Sequence, residues 1–94
     1  MGKLNLANTK EVEKITTKTA IEKRIVELCE ARNITINELA NISGVTPSTI
    51  YSMLGEKSKN PGICSIKKLC DGLDISIREF FDCNLFDSLE QEIK

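Results

Sequence analysis

A chain of 94 residues, 40% apolar and 29% charged, has the size of one domain with a small core. No apolar run approaches the length of a membrane span and no charged-then-apolar leader opens the chain, so a cytoplasmic protein is expected. The net charge of −1 is unevenly spread: residues 1–19 carry four basic and two acidic side chains, 20–62 five of each, and 63–94 four and seven. That bias toward basic charge near the N-terminus permits a local nucleic-acid patch without requiring one.

Residues 1–17 show no sustained periodicity and read as an N-terminal arm. Thr19-Ala20-Ile21-Glu22 has capping-box spacing and predicts a helix start. Ile21, Ile25, Leu28 and Cys29 then recur at helical spacing as its buried face, with Asn33 as its end. Thr35-Ile36-Asn37-Glu38 is a second capping box, opening a short helix that carries Leu39 and Ala40 on an apolar side. Gly44 supplies the left-handed exit, because it has no Cβ to clash. Val45 plugs the corner, Thr46 is an N-cap, and Pro47 takes the first helical position, where a missing N–H costs nothing.

The third helix runs from Pro47 to about Leu54. Ile50, Met53 and Leu54 point one way, Ser48 and Ser52 almost opposite, with Thr49 and Tyr51 on the flanks. A helix, a three-residue turn and an outward second helix have the chemistry of a helix-turn-helix, which presents that helix to a DNA major groove.

Gly55 through Gly62 has the polar, Pro- and Gly-containing make-up of a loop. Ile63, Ile66, Leu69, Cys70 and Leu73 stripe a fourth helix, whose last turn Gly72 weakens by about 1 kcal/mol relative to alanine. Ser76-Ile77-Arg78-Glu79 is a third capping box, starting a fifth helix that buries Ile77, Phe80 and the flanking Phe81. No strand is expected. The fold class is all-α, with five helices, or six if the stripe Leu85, Phe86, Leu89 and Ile93 is helical. The expected organisation is an arm (1–17), a helix-turn-helix domain (18–82) and a tail (83–94).

From Thr19 to Phe81 the chain resembles the phage repressor/Cro-type helix-turn-helix family. The resemblance is carried by Leu39-Ala40, Gly44-Val45, Ile50 and Met53. The loop Lys57-Ser58-Lys59-Asn60-Pro61 and the closing stretch from Leu73 to Phe81 add to it. It implies a transcriptional regulator, usually a repressor, reading an inverted-repeat operator in double-stranded DNA as a homodimer. Three positions depart from the family pattern. Glu56 stands where glycine is frequent, with Gly55 one residue earlier as its substitute. Asp74 occupies a helix exit often filled by glycine. Pro47 replaces a base-reading side chain and offers no donor.

On this reading Ser48, Thr49 and Ser52 are the base-contacting candidates, hydroxyls for base edges and the Thr49 methyl for thymine. Thr35, Asn37, Thr46, Lys57, Ser58, Lys59 and Asn60 are phosphate candidates, the lysines by charge and the others near helix N-termini or in the loop. Tyr51 is either a packed flank residue or a phosphate donor. Lys18, Lys23 and Arg24 are as compatible with solvated surface as with function. The tail stripe either folds back to finish the core or makes a dimer contact through Phe80, Phe81, Leu85, Phe86, Leu89 and Ile93.

The competing class is a protein-interaction module of the same fold, such as an antitoxin or anti-repressor partner, favoured by the near-neutral charge and the serine-bearing third helix. An enzyme is not expected: no histidine is present, no glycine loop cradles phosphate, and Cys83 beside Asp82 has no visible activation. Cys29, Cys64, Cys70 and Cys83 lack C-x-x-C spacing, so they read as reduced thiols, with no metal, cofactor or small-molecule ligand.

Overall fold

The computed structural model describes residues 14–55 and 61–93. Among the described residues five α-helices follow one another: α1 (Thr17–Arg32), α2 (Ile36–Ser43), α3 (Pro47–Leu54), α4 (Ile63–Leu73) and α5 (Ile77–Phe81). A single 3-10 turn, Asn84–Phe86, comes after them. The all-α reading holds. No helix among the described residues is long and apolar enough to cross a membrane.

Three of the four connections between helices are built to one plan. Asn33, Gly44 and Asp74 each take left-handed backbone, at φ 56°, 70° and 59°. The next residue in each case, Ile34, Val45 or Ile75, sends its amide back to the carbonyl of Cys29, Ala40 or Cys70 at 3.0, 3.1 and 2.9 Å. This six-to-one bond satisfies a helix-end carbonyl and turns the chain inward. The same three apolar side chains pack, partly buried, against the core. Thr35, Thr46 and Ser76 follow as N-caps, accepting the amides of Glu38, Thr49 and Glu79. Glu38 and Glu79 accept the N-cap amides in return at 2.8 and 2.9 Å, which completes two of the three predicted capping boxes.

The core is apolar throughout. Ile25, Leu39, Ile50, Leu69, Cys70 and Phe80 are its largest fully enclosed side chains, and no polar residue is buried among the described ones. α2 sits at the centre, packed on α3 and α4. The predicted stripe of α4 is buried from Ile66 to Leu73, but Ile63 is 56% exposed, because the first residue of the helix lies before the side that faces α2. Ile77 is half-buried rather than buried.

α1 begins two residues before the Thr19 box. Thr16 is the N-cap, its hydroxyl accepting the Thr19 amide at 3.1 Å. Glu22 is therefore no capping residue; it pairs with Lys18 one turn back. The cause lies outside the helix. The Ile15 amide donates to the Ser88 carbonyl at 3.3 Å and the Glu90 amide to the Ile15 carbonyl at 2.9 Å, forming a parallel bridge of Ile15 with Leu89. Extended backbone at Ile15 and Thr16 leaves the helix to start at Thr17.

The same bridge corrects the expectation of a sixth helix. Backbone groups around Leu89 bond to Ile15 instead of to one another, so the tail makes only one 3-10 turn. Phe86 closes on Phe81 with ring centroids 4.9 Å apart and on Phe80 at 6.4 Å. The tail thus finishes the core along α1 and α5. Arg24 secures this end from α1. Its guanidinium donates to the carbonyls of Phe80 (2.6 Å) and Glu79 (2.7 Å) and pairs with Glu27. A cation on the last carbonyls of a five-residue helix supplies stability that so short a helix lacks alone.

Gly72 is present for space. A Cβ built there would come within 2.9 Å of Ser43 Cα and 3.0 Å of the Ile42 carbonyl carbon, backbone atoms that cannot swing away. α2 and α4 cross this closely only because that position lacks a side chain. Gly72→Ala is expected to lower stability by about 1–3 kcal/mol in urea unfolding, although alanine is the better helix former. Of the cysteines, Cys64 is exposed, while Cys29 and Cys70 are buried and their thiols are pushed up mainly by that burial. Thiol titration under native conditions is expected to label Cys64 fastest and Cys29 and Cys70 last.

Candidate nucleic-acid interface

α3 has the bounds read from the sequence, and its two sides are as different as expected. Ile50 and Met53 are buried at 0% and 6% exposure and Leu54 is half-buried. Ser48, Thr49 and Ser52 are all exposed, and Tyr51 is 55% exposed, which sets it on the flank rather than in the core. α2 braces the helix from behind through Leu39 and Ala40, both wholly buried.

The N-terminal end of α3 is organised by hydroxyls. Thr46 Oγ1 accepts the Thr49 amide at 3.3 Å and lies 3.0 Å from both Ser48 Oγ and Thr49 Oγ1. Three hydroxyls thus share one hydrogen-bonded cluster at a helix start. Each oxygen keeps capacity for an outside partner, because a hydroxyl has one donor and two acceptor sites. Sequence reasoning named these residues singly and missed the cluster. The signal was the run Thr46-Pro47-Ser48-Thr49, which puts three hydroxyls within one turn of the cap.

Pro47 borders a shallow groove with Asn37, Glu38, Asn41 and Val45, between α2 and the start of α3. Thr35 and Asn37 are exposed at the N-terminal end of α2, near this groove. The Thr35 oxygen already accepts the Glu38 amide at 3.0 Å, leaving its hydroxyl proton for an external acceptor. No residue from Thr46 to Gly55 is ionisable at neutral pH, so the outward face of α3 is polar and uncharged. Lys57, Ser58, Lys59 and Asn60, the loop candidates, lie outside the described residues.

A family model for the Cro/C1-type HTH DNA-binding domain matches residues 24–85. The chain belongs to this family. The match takes in four complete helices and most of α1, ending inside the 3-10 turn. A crystal structure of the prophage Lp1 protein 11 is similar to this Cro/C1-type chain, with a TM-score of 0.68 and 36% sequence identity. The likeness covers 74% of this chain and 92% of that one. No curated protein matches.

Within the family frame, Gly55 departs from the sequence expectation. Its backbone is extended, at φ −79° and ψ 150°, so it does not supply the left-handed exit assigned to it in place of Glu56. Asp74 does take the left-handed exit expected of it. Lys18 and Arg24 serve intramolecular bonds, Lys18 to Gly55 and Arg24 to α5. Of the residues assigned to dimerisation, Phe80 is wholly buried within the single chain and has no surface to offer. Phe81, Leu85, Phe86 and Leu89 are half-buried, and Ile93 is 89% exposed.

Thr46→Ala is expected to cost about 1 kcal/mol of stability by removing the α3 cap. The exposed pair Ser48→Ala and Ser52→Ala is expected to stay within about 0.5 kcal/mol of the parent. Chemical unfolding of the three variants checks both.

Proposed function

We propose that this Cro/C1-type protein is a sequence-specific transcription regulator, acting as a repressor that occupies an inverted-repeat operator. The observation that carries the reading is the exposed hydroxyl face of α3, held by a buried apolar side against α2. In the proposed mechanism α3 enters the major groove, where Ser48, Thr49 and Ser52 meet base edges. Thr35, Asn37, Thr46, Tyr51 and the loop residues Lys57, Ser58, Lys59 and Asn60 hold phosphates and set the register. Serine and threonine hydroxyls read bases permissively, so specificity draws on shape and position as well as direct bonds. The likeness to a prophage protein agrees with a phage-type regulator.

A homodimer fits this mechanism, because two copies of α3 about 34 Å apart would meet successive major-groove faces. Phe81, Leu85, Phe86, Leu89 and Ile93 form the proposed contact. An interaction module of the antitoxin or anti-repressor kind is the second reading, favoured by the uncharged α3 face and the net charge of −1.

Selection of binding sites from random duplex by the purified protein separates the two. The expected product is a two-fold symmetric site with half-site centres about 10 base pairs apart. Lys57→Gln and Lys59→Gln are each expected to lower the salt slope of the dimer by about two units, one per subunit, on every duplex, while Ser52→Ala weakens the selected site alone. Recovery of no consensus, with affinity indifferent to salt, counts for the interaction module.

A further inference from the structure

We infer that Lys18 is a positioning residue for DNA recognition, its ammonium pinning the C-terminal end of α3 to the first turn of α1. The inference rests on the reading that α3 is the groove-entering helix. It begins from an irregularity in how the helices end. α1, α2 and α4 finish in left-handed backbone at Asn33, Gly44 and Asp74, and each is followed by an apolar residue that turns back to the core. α3 finishes in extended backbone at Gly55, and its last turn holds no basic side chain to meet the negative end of the helix dipole.

The cation comes from another helix. Lys18 Nζ donates to the Gly55 carbonyl at 2.7 Å, across 37 positions of sequence, and pairs with Glu22 on its own helix. Both charged side chains are mostly covered, at 18% and 24% exposure, so this is no loose surface pair. A free lysine samples many rotamers; here its head is held by two acceptors on two helices. The platform is itself fixed. Lys18 lies three residues after Ile15, whose backbone is bonded to Ser88 and Glu90.

Recognition depends on this end of α3. The helix has only eight residues, and Ser52 stands one turn before Gly55. Fraying of the last turn would swing Ser52. A recognition group must be held within about 0.5 Å to count toward specificity. Lys18 thereby acts on bases it does not touch.

The alternative, that Lys18 contacts a phosphate itself, makes a different prediction. Lys18→Met keeps most of the apolar stem and removes the charge, while Lys18→Arg keeps a donor. In the DNA-free protein, amide hydrogen exchange over residues 52–55 is expected to be about tenfold faster in K18M and near the parent rate in K18R. On the duplex selected by the parent protein, K18M is expected to bind about tenfold more weakly, with little loss on random duplex and an unchanged salt slope. Glu22→Gln, a milder variant that loosens the anchor, is expected to move both readouts the same way by about threefold. Unchanged exchange in K18M overturns the clamp. Equal loss on both duplexes with a slope smaller by about two, one per subunit of the proposed dimer, overturns it in favour of a direct phosphate contact. If the parent shows no preference for any duplex, the reading of α3 fails, while the exchange result still decides whether Lys18 holds its end.

Discussion

Three connectors of three residues each set the shape of this protein. A left-handed residue ends a helix, an apolar residue bonds back five positions and plugs the core, and a hydroxyl residue caps the next helix. The connector is too short to swing, because its first residue has fixed backbone sign and its last is spent on a cap. Relative directions of α1, α2 and α3, and of α4 and α5, follow from that chemistry. Only then do the apolar sides of the helices face one another. A helix of eight residues such as α2 or α3 is not stable alone, so the connectors and the shared core around Leu39, Ile50 and Leu69 must form together.

The outward side of α3 is a consequence of this arrangement rather than a separate feature. Burying Ile50 and Met53 against α2 forces Ser48 and Ser52 into solvent, since side chains two positions before or after a buried residue emerge on the other side of a helix. The Thr46 cap then gathers Ser48 and Thr49 around one oxygen. One residue type serves both purposes: a hydroxyl satisfies the helix start and remains able to meet a base or a phosphate.

Much of this was legible from local pattern. Asn33, Gly44 and Asp74 as helix ends, the Thr35 and Ser76 boxes, and the limits of α3 each depend on a few neighbouring residues, whose propensities act at short range. The errors have a common cause. The Thr19 box obeyed the spacing rule, but pairing of Ile15 with the tail moved the cap to Thr16 and the helix start to Thr17. The stripe from Leu85 to Ile93 had helical spacing, yet its backbone found partners around Ile15. Gly72 looked like a weak point and is the place where α2 and α4 touch. Arg24 and Lys18 carried no signal at all, since their acceptors are carbonyls 56, 55 and 37 positions away.

The order of amino acids, then, determined which stretches become helices, where most of them stop and which side of each is apolar. Those properties arise from hydrogen bonds and rotamers within one or two turns. Tertiary structure alone decided where α1 begins, why the tail is not a helix, and how α1 reaches across to hold α3 and α5. Backbone carbonyls look the same at every residue, and only folding selects the one that a distant lysine or arginine will meet.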